Sequence, residues 1–402
     1  MKIETSVQTP FLFGNAMTKD LCRIELFSWI KDRFAHRTCT NLFQKLTLKR
    51  KAQILELKPE LHRANLATIF KAVNYSELSL WDSEGLPDDL LLIEQAACSL
   101  YPHWLAFWCD YEIHEVKARY AMVLLKHSSH DSLSYEDRDY RGELIDNIEI
   151  DYRLFNTLYH DAPMKLSDAI CLINLELFVR GEEWYEMLFS LSLSNKGKHF
   201  VLFSDLADSE TRLIVASALI QDWNQKETWL SLAPQFESEK WTMCLPPHAY
   251  CELNRHKLFN PPLMEICNTA SEFNQRLAFN LDNAASICEV LRLTVSGTHQ
   301  QRLYFLYLTQ KLLMSTLLNA GYVVGLTIIE QPFMLNFYKA IDKRAYFHSC
   351  YCDINDEGVI TYRGFWNFDY MDKVFENVLF RDYKRAVQIG RNNKANLLVM
   401  NA

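Results

Sequence analysis

Ile287–Ser296 (ICEVLRLTVS), Gln301–Asn319 (QRLYFLYLTQKLLMSTLLN) and Tyr322–Glu330 (YVVGLTIIE) spell a strand, a long helix and a second strand. The first segment is β-branched with period-2 alternation, the mark of a strand, and Gly297 closes it. The second repeats apolar residues at helical spacing and ends at Ala320-Gly321, a helix C-terminal signal. The third is a short apolar run of strand length. Beyond it, Pro332–Ile341 reads as a short helix with Pro near its start. Tyr346–Ile354 and Val359–Phe368 read as two further strands. Asn355-Asp356-Glu357-Gly358 between them has hairpin-turn composition. The order strand–helix–strand–helix–strand, with helices of very unequal length, predicts an α/β domain with a mixed central sheet.

Working outward, the upstream half reads differently. Leu21–Phe34, the basic run Leu42–Leu57, Pro59–Val73, Asp88–Leu100 and Tyr101–Leu125 all carry helical periodicity. The polar stretch His127–Gly142 reads as a loop. The character shifts near Asp161-Ala-Pro163. Ala169–Val179 (AICLINLELFV) and His199–Ser204 (HFVLFS) read as strands. Glu182–Leu191 reads as a helix, as does Glu210–Trp223, with Ser209 as its N-cap. Trp241–Tyr250 reads as extended and broken by Pro246-Pro247, and Asn260–Pro262 as a loop. The expected organisation is a helical N-terminal domain over 1–160 and an α/β domain over 161–402.

Composition removes several classes of function. The chain has 402 residues, 49% of them hydrophobic and 23% charged, with only 11 glycines. None of these glycines forms G-x-G, G-x-x-x-x-G-K or G-x-S-x-G. A P-loop, a Rossmann fingerprint and a hydrolase nucleophile elbow are therefore absent. A formal net charge of −8 argues against generic nucleic-acid binding, which needs a basic face. Met1–Met17 lacks the apolar core of a secretory signal, and no apolar stretch reaches the roughly 20 residues of a membrane span. The expected location is the cytoplasm. The 11 cysteines show no C-x-x-C spacing, so they read as buried thiols, Cys350 and Cys352 included, and no metal site is expected.

The strand–long helix–strand–short helix order, with Phe337-Tyr338 on the short helix, resembles the second half of the GNAT acyltransferase fold. In that fold the pantetheine of an acyl thioester lies in a splay between two central strands. Tyr338 stands where the family places a tyrosine that protonates the leaving thiolate. The usual pyrophosphate loop is missing, and its position holds Ser296-Gly-Thr-His-Gln-Gln301. That departure fits a branch drawing acyl groups from acyl carrier protein. One such branch, the acyl-homoserine lactone synthases, carries E-[ILMV]-[ST]-R on the strand before the long helix. This chain has Glu289-Val-Leu-Arg292, with Leu291 replacing the Ser or Thr. Chain length, the helical N-terminal extension and the block GYVVGLTIIEQPFMLNFYKAI resemble the LuxM/AinS/VanM type of autoinducer synthase. The resemblance is strongest over 280–350.

It implies an acyltransferase in quorum sensing. The acyl donor would be an acyl carrier protein or acyl-coenzyme A thioester, and the acceptor the amine of S-adenosylmethionine. A lactone would then close with release of methylthioadenosine, with no cofactor beyond these substrates. The first step needs a base, because that amine is mostly protonated at neutral pH. Glu289 is the candidate base if burial raises its pKa. Arg292 is the candidate to bind the methionyl carboxylate or to orient Glu289. In a regular strand Glu289 and Arg292 face opposite ways, so a bulge or strand end must bring them together. The pair reads equally as a structural ion pair. Glu330, ending a central strand, reads as a site carboxylate or a helix-start acid, with Gln331 as its amide neighbour. Tyr338 reads as the general acid or as a core aromatic. Arg212 with Asp222-Trp223 reads as an analogue of the sulfonium substrate site, and Arg119 with Glu136-Asp137-Arg138-Asp139 as an alternative. Leu303, Phe305, Leu306, Leu313 and Leu317 of the long helix are candidates to border an acyl chain. Lys45–Lys51, or Arg302 with Lys311, is the candidate dock for an acidic carrier protein. Competing readings are a GNAT N-acetyltransferase acting on another amine and a non-catalytic interaction protein.

Overall fold

The computed structural model describes residues 18–74, 81–120, 133–191, 197–204, 211–233, 240–263, 266–329, 338, 342–353 and 360–392. Pro332–Ile341 apart from Tyr338, and the hairpin turn 355–358, lie outside these residues. The chain divides into two compact units, one of Met1–Val123 with Asn174–Leu191 and one of Leu124–Ile173 with Ser192–Ala402.

The first unit is helical, as its periodicity predicts. Its helices are α1 (Lys19–Arg33), α2 (His36–Leu57), α3 (Leu66–Lys71), α4 (Asp88–Leu100) and α5 (Trp104–Ala118). Thr18 caps α1, Asn65 caps α3 and the His103 ring caps α5, each by accepting a first-turn N–H. The core stacks Phe43 edge-on to Trp104, Phe107 and Tyr111. A buried ion pair crosses it: Arg50 Nε and Nη2 donate to Glu94 Oε1 and Oε2 at 2.9 and 2.8 Å.

The second unit is built on a sheet. Its strands are β1 (Tyr140–Ile145), β2 (Leu154–Thr157), β3 (His160–Lys165), β4 (Lys198–Ser204), β5 (Arg212–Asp222), β6 (Thr242–Met243), β7 (Ile287–Val295), β8 (Val324–Ile329), β9 (Tyr346–Asp353) and β10 (Ile360–Asn367). The strand order is β1-β4-β5-β7-β8-β10-β9-β6, with β2 joining β3 and the start of β5. Neighbours along that path are antiparallel except β7 and β8, which run parallel. A parallel pair needs a crossover connection, and α9 (His299–Asn319) supplies it. This mixed α/β layout, with one parallel pair at its centre, is consistent with the GNAT-like architecture. The first two strands, β1 and β2, extend sheet structure upstream of 160, and β3 begins there. They escaped the periodicity reading because β1 is an edge strand with Arg141 and Glu143 among its residues, a polarity that edges use against unwanted pairing.

Two elements correct the sequence reading. Residues 169–174, expected as part of a strand, belong to helix α6 (Leu166–Asn174), and a π-helical turn Leu175–Gly181 follows. Leu166, Ala169, Ile170 and Ile173 are buried at helical i, i+3, i+4, i+7 spacing, with Leu172 and Asn174 buried beside them. Conversely, Glu210–Trp223, expected as a helix, contains the eleven-residue strand β5. Both faces of β5 are covered, so its apolar run loses the alternation that marks a strand. On one face Cys288, Val290, Ala216, Ala218 and Ile220 pack against α9 and the C-terminal helices Phe368–Asn377 and Phe380–Asn392. On the other, Ile287, Val324, Leu326 and Phe365 pack with Trp229, α7 (Pro247–Arg255) and α8 (Ala270–Asn280).

Candidate active site

The parallel β7–β8 pairing runs only from Ile287↔Val324 to Val290↔Thr327. Both strands continue past it, β7 to Val295 and β8 to Ile329. The strands therefore part near their carboxyl ends. In open α/β sheets that is where ligands are held.

The break coincides with a bulge on β7. Leu219 faces Leu291 and Ser217 faces Thr294, so Ala218 alone opposes Arg292 and Leu293. Arg292 has φ 51, in the left-handed region. That backbone costs an L-residue about 1–2 kcal/mol. Leu293, like Cys288 and Val290, packs on the α9 face. Ile287 and Glu289 take the opposite face, and the bulge interrupts the alternation at Arg292. The sequence reading expected a bulge or strand end between Glu289 and Arg292, and the bulge falls at Arg292. Burial lowers the Arg292 guanidinium to about 10.

Glu289 is fully buried. Its Oε2 accepts the Leu230 N–H at 2.8 Å and its Oε1 the Ser231 N–H at 2.6 Å. Burial pushes its carboxyl up to about 7, against the downward pull of these donors. A second line of support stands behind Ser231. Arg363 on β10 donates through Nη1 to the Ser231 carbonyl at 2.8 Å and to Asn274 Oδ1 at 2.9 Å. Arg363, Asn274 and the Leu230–Ser231 amides were not singled out from the sequence. Arg363 carried a signal there, a charge within the apolar strand ITYRGFWN, since Arg is almost never fully buried without a partner. The amides carried none.

The other candidates divide. Asp222 lies across from Cys288, and Gln221 across from Glu289, so the Asp222-Trp223 corner borders the Glu289 end of β7. Asp222 caps the following turn and accepts the Tyr322 hydroxyl. The Trp223 and Trp229 rings meet edge to face at 5.2 Å. Arg212 begins the eleven-residue β5 that Asp222 ends. At about 3.3 Å per residue the two are roughly 30 Å apart. Arg212 sits instead over the Phe203 ring at 4.6 Å. One site therefore does not contain both. Tyr338 lies in the core on the α9 face, away from Glu289, and accepts a hydrogen bond from Gln310 Nε2 at 2.6 Å. Burial holds its hydroxyl well above the usual tyrosine range. Glu330 and Gln331 lie outside the described residues. Asp137 of the alternative acidic loop takes the Tyr304 hydroxyl and Lys311.

The carrier-dock and acyl-chain candidates also find places. Lys45 and Lys49 donate to the Gly85 and Glu84 carbonyls, and Arg50 is buried on Glu94. Lys311 pairs with Asp137, and Arg302 Nε donates to the Gly297 carbonyl. Both basic patches are thus engaged within the fold. Phe305, Leu313 and Leu317 belong to the α9-side core, with Leu303 and Leu306 packed against it. Where a GNAT pyrophosphate would sit, α9 closes on itself. Thr298 Oγ1 accepts the Gln301 N–H, and Gln301 Oε1 accepts the Thr298 N–H at 2.8 Å. Among the described residues no three His, Cys, Asp or Glu side chains gather as a metal site. No helix among them is long and apolar enough to cross a membrane.

Comparison with known proteins supplies the family. The family model for acyl homoserine lactone synthase matches residues 22–395. The acyl-homoserine-lactone synthase OpaM of Vibrio parahaemolyticus is 48% identical over 353 residues, 88% of each chain. The synthase LuxM of Vibrio campbellii is 48% identical over 352 residues, again 88% of each chain. LuxM of Vibrio atlanticus is 42% identical over 354 residues, 88% of this chain and 89% of its own. No solved structure matches the chain. With a family match across nearly the whole chain and a strand pair that parts beside a buried glutamate and a bulged arginine, the chain belongs to the acyl homoserine lactone synthases, a class of acyltransferase.

Proposed function

We propose that this chain transfers an acyl group from a carrier-bound thioester to the amine of S-adenosylmethionine and then closes the homoserine lactone, producing an autoinducer. The observation that carries the reading is the β7 bulge. It holds Arg292 in a costly backbone conformation three residues after Glu289, where β7 leaves β8. Strain of this kind persists where the fold over-determines it, and it clusters at functional sites.

In this reading Glu289, at about 7, is poised near working pH to take a proton from the substrate ammonium, directly or through one water. The freed amine attacks the thioester carbonyl and the thiolate leaves. Arg292 holds the methionyl carboxylate. That carboxylate oxygen then attacks the carbon next to the sulfonium, the C–S bond breaks, and methylthioadenosine departs neutral. Tyr338 stays a core aromatic here, because its buried hydroxyl serves Gln310 on the opposite face. The Trp223–Trp229 corner, beside Glu289, offers aromatic faces to a sulfonium. The self-capped start of α9 favours acyl carrier protein over coenzyme A as donor, since its first backbone donors are already used.

Mass spectrometry of medium from cells expressing the chain tests the reading. An N-acyl homoserine lactone is expected, and its loss on Glu289→Gln with the protein still soluble. Absence of any such lactone from the wild type, with both substrates supplied, overturns it. So does a Glu289→Gln enzyme of undiminished rate.

A further inference from the structure

His199 is the strongest unexplained group on the Glu289 face. It lies on β4 opposite Leu219, and Leu219 lies opposite Leu291, so His199, Leu219, Leu291 and Glu289 share that face by register. Its side chain is 1% exposed. Neither Nδ1 nor Nε2 has a hydrogen-bond partner among the described residues. Burial holds the imidazole at about 4, so it is neutral at working pH, and the Arg292 charge adds to the depression; the register sets Leu291, the chain neighbour of Arg292, across Leu219 from it.

Leaving two polar atoms buried and unpaired is unfavourable, and native folds leave few such atoms without a reason. A core position asking only for bulk would take Phe or Leu. Here the unpaired imidazole stands beside a desolvated guanidinium held at φ 51. A neutral imidazole offers one N–H donor and one acceptor. A group that satisfies a guanidinium and an imidazole N–H together is an anion with more than one acceptor oxygen. The substrate of the proposed reaction carries one anionic group, its α-carboxylate.

We propose that His199 is a substrate-binding residue that donates a hydrogen bond to the α-carboxylate of the aminoacyl sulfonium substrate, beside Arg292. This assignment rests on the function proposed above and extends it. The imidazole fixes the orientation of the carboxylate, one of whose oxygens must later attack the sulfonium carbon. It adds no charge that would lower the nucleophilicity of that oxygen.

Calorimetric titration with two ligands tests it: S-adenosylmethionine and its decarboxylated analogue, which lacks only the carboxylate. With the wild type, S-adenosylmethionine is expected to bind more tightly. In His199→Phe its affinity falls about ten- to hundredfold, the worth of a hydrogen bond to an ionised group. The analogue's affinity stays within about twofold. His199→Gln restores a donor and recovers part of the loss, which also guards against a Phe variant that packs badly. Thermal stability of His199→Phe does not fall, because two orphaned polar atoms are removed. Equal weakening of both ligands, or none, overturns the assignment alone. A wild type that binds neither ligand overturns the underlying function as well.

Discussion

Replacing Arg292 with glycine separates a functional bulge from a structural one. In the fold Arg292 sits at φ 51, where glycine is unstrained, so relief of about 1–2 kcal/mol is expected. The guanidinium is lowered from 12.5 to about 10 by burial, a desolvation of order 3 kcal/mol. Against these gains stands the packing of its alkyl stem, about 2 kcal/mol. The balance favours Arg292→Gly by about 2–3 kcal/mol, or a rise in Tm of roughly 4–12 °C for a unit of this size. The same change removes the guanidinium from the substrate carboxylate. Losing one partner of a buried charged pair costs about 2–5 kcal/mol, which puts kcat/KM down by roughly 30- to several-thousand-fold. Differential scanning fluorimetry and a lactone assay on the same preparation read both numbers. An Arg292→Gly protein that melts lower while making lactone at the wild-type rate would refute the reasoning, and would mark the pair as structural.

Three further outcomes follow from the geometry. Glu289 titrates near 7 folded against 4.5 unfolded, so the native state holds the extra proton between these values. Its contribution to stability is complete below pH 4.5 and is lost as pH rises towards 7, by about 3 kcal/mol. Unfolding free energies across that range should flatten by this amount in Glu289→Gln, and an unchanged slope would place the titration elsewhere. In the helical unit, Arg50→Ala strands buried Glu94 without its bidentate partner. Urea unfolding should show a loss of about 3–5 kcal/mol, while the paired Arg50→Met, Glu94→Leu change costs far less. At Gly364, next to Arg363 and opposite the Ser349 bulge of β9, an added Cβ would collide with the Phe347 carbonyl oxygen and the Tyr346 hydroxyl. Gly364→Ala should lower stability by about 1–3 kcal/mol and, by shifting Arg363 and the Ser231 amide behind Glu289, move the acidic limb of the pH–rate profile; a mobile Tm with a fixed limb would disconnect Arg363 from Glu289.

The C-terminal elements were legible because their signals are local. Ile287–Ser296 alternates, the long helix is amphipathic and carries a capping box at Thr298, and the last two strands carry β-branched and aromatic residues. The middle of the chain was misread for one reason in two forms. Ala169–Val179 and Glu210–Trp223 are near-continuous apolar runs, and such runs do not separate a buried helix from a strand covered on both faces. The polar edge strand β1 hid in the opposite way, by resembling a loop.

The site was legible to the same limit. The resemblance of Glu289-Val-Leu-Arg292 to the family's E-x-x-R motif picked out the two residues, and burial as the means of raising a carboxyl pKa was foreseeable from chemistry alone. That the alternation breaks between them follows only from the bulge, which depends on how β5 pairs with β7. The groups that hold Glu289 come from residues 59 and 58 positions earlier and are backbone amides, which no residue identity announces. Arg212 and Asp222 were expected on one helix, about 15 Å apart, yet lie at opposite ends of β5, while Tyr338 lies across the sheet. By itself the sequence determined the element types wherever one face met water, and the chemistry available on β7. Register, bulge and the choice of sheet face needed the tertiary structure, because they are set by partners distant in the chain, and a shift of one residue sends a side chain to the other side.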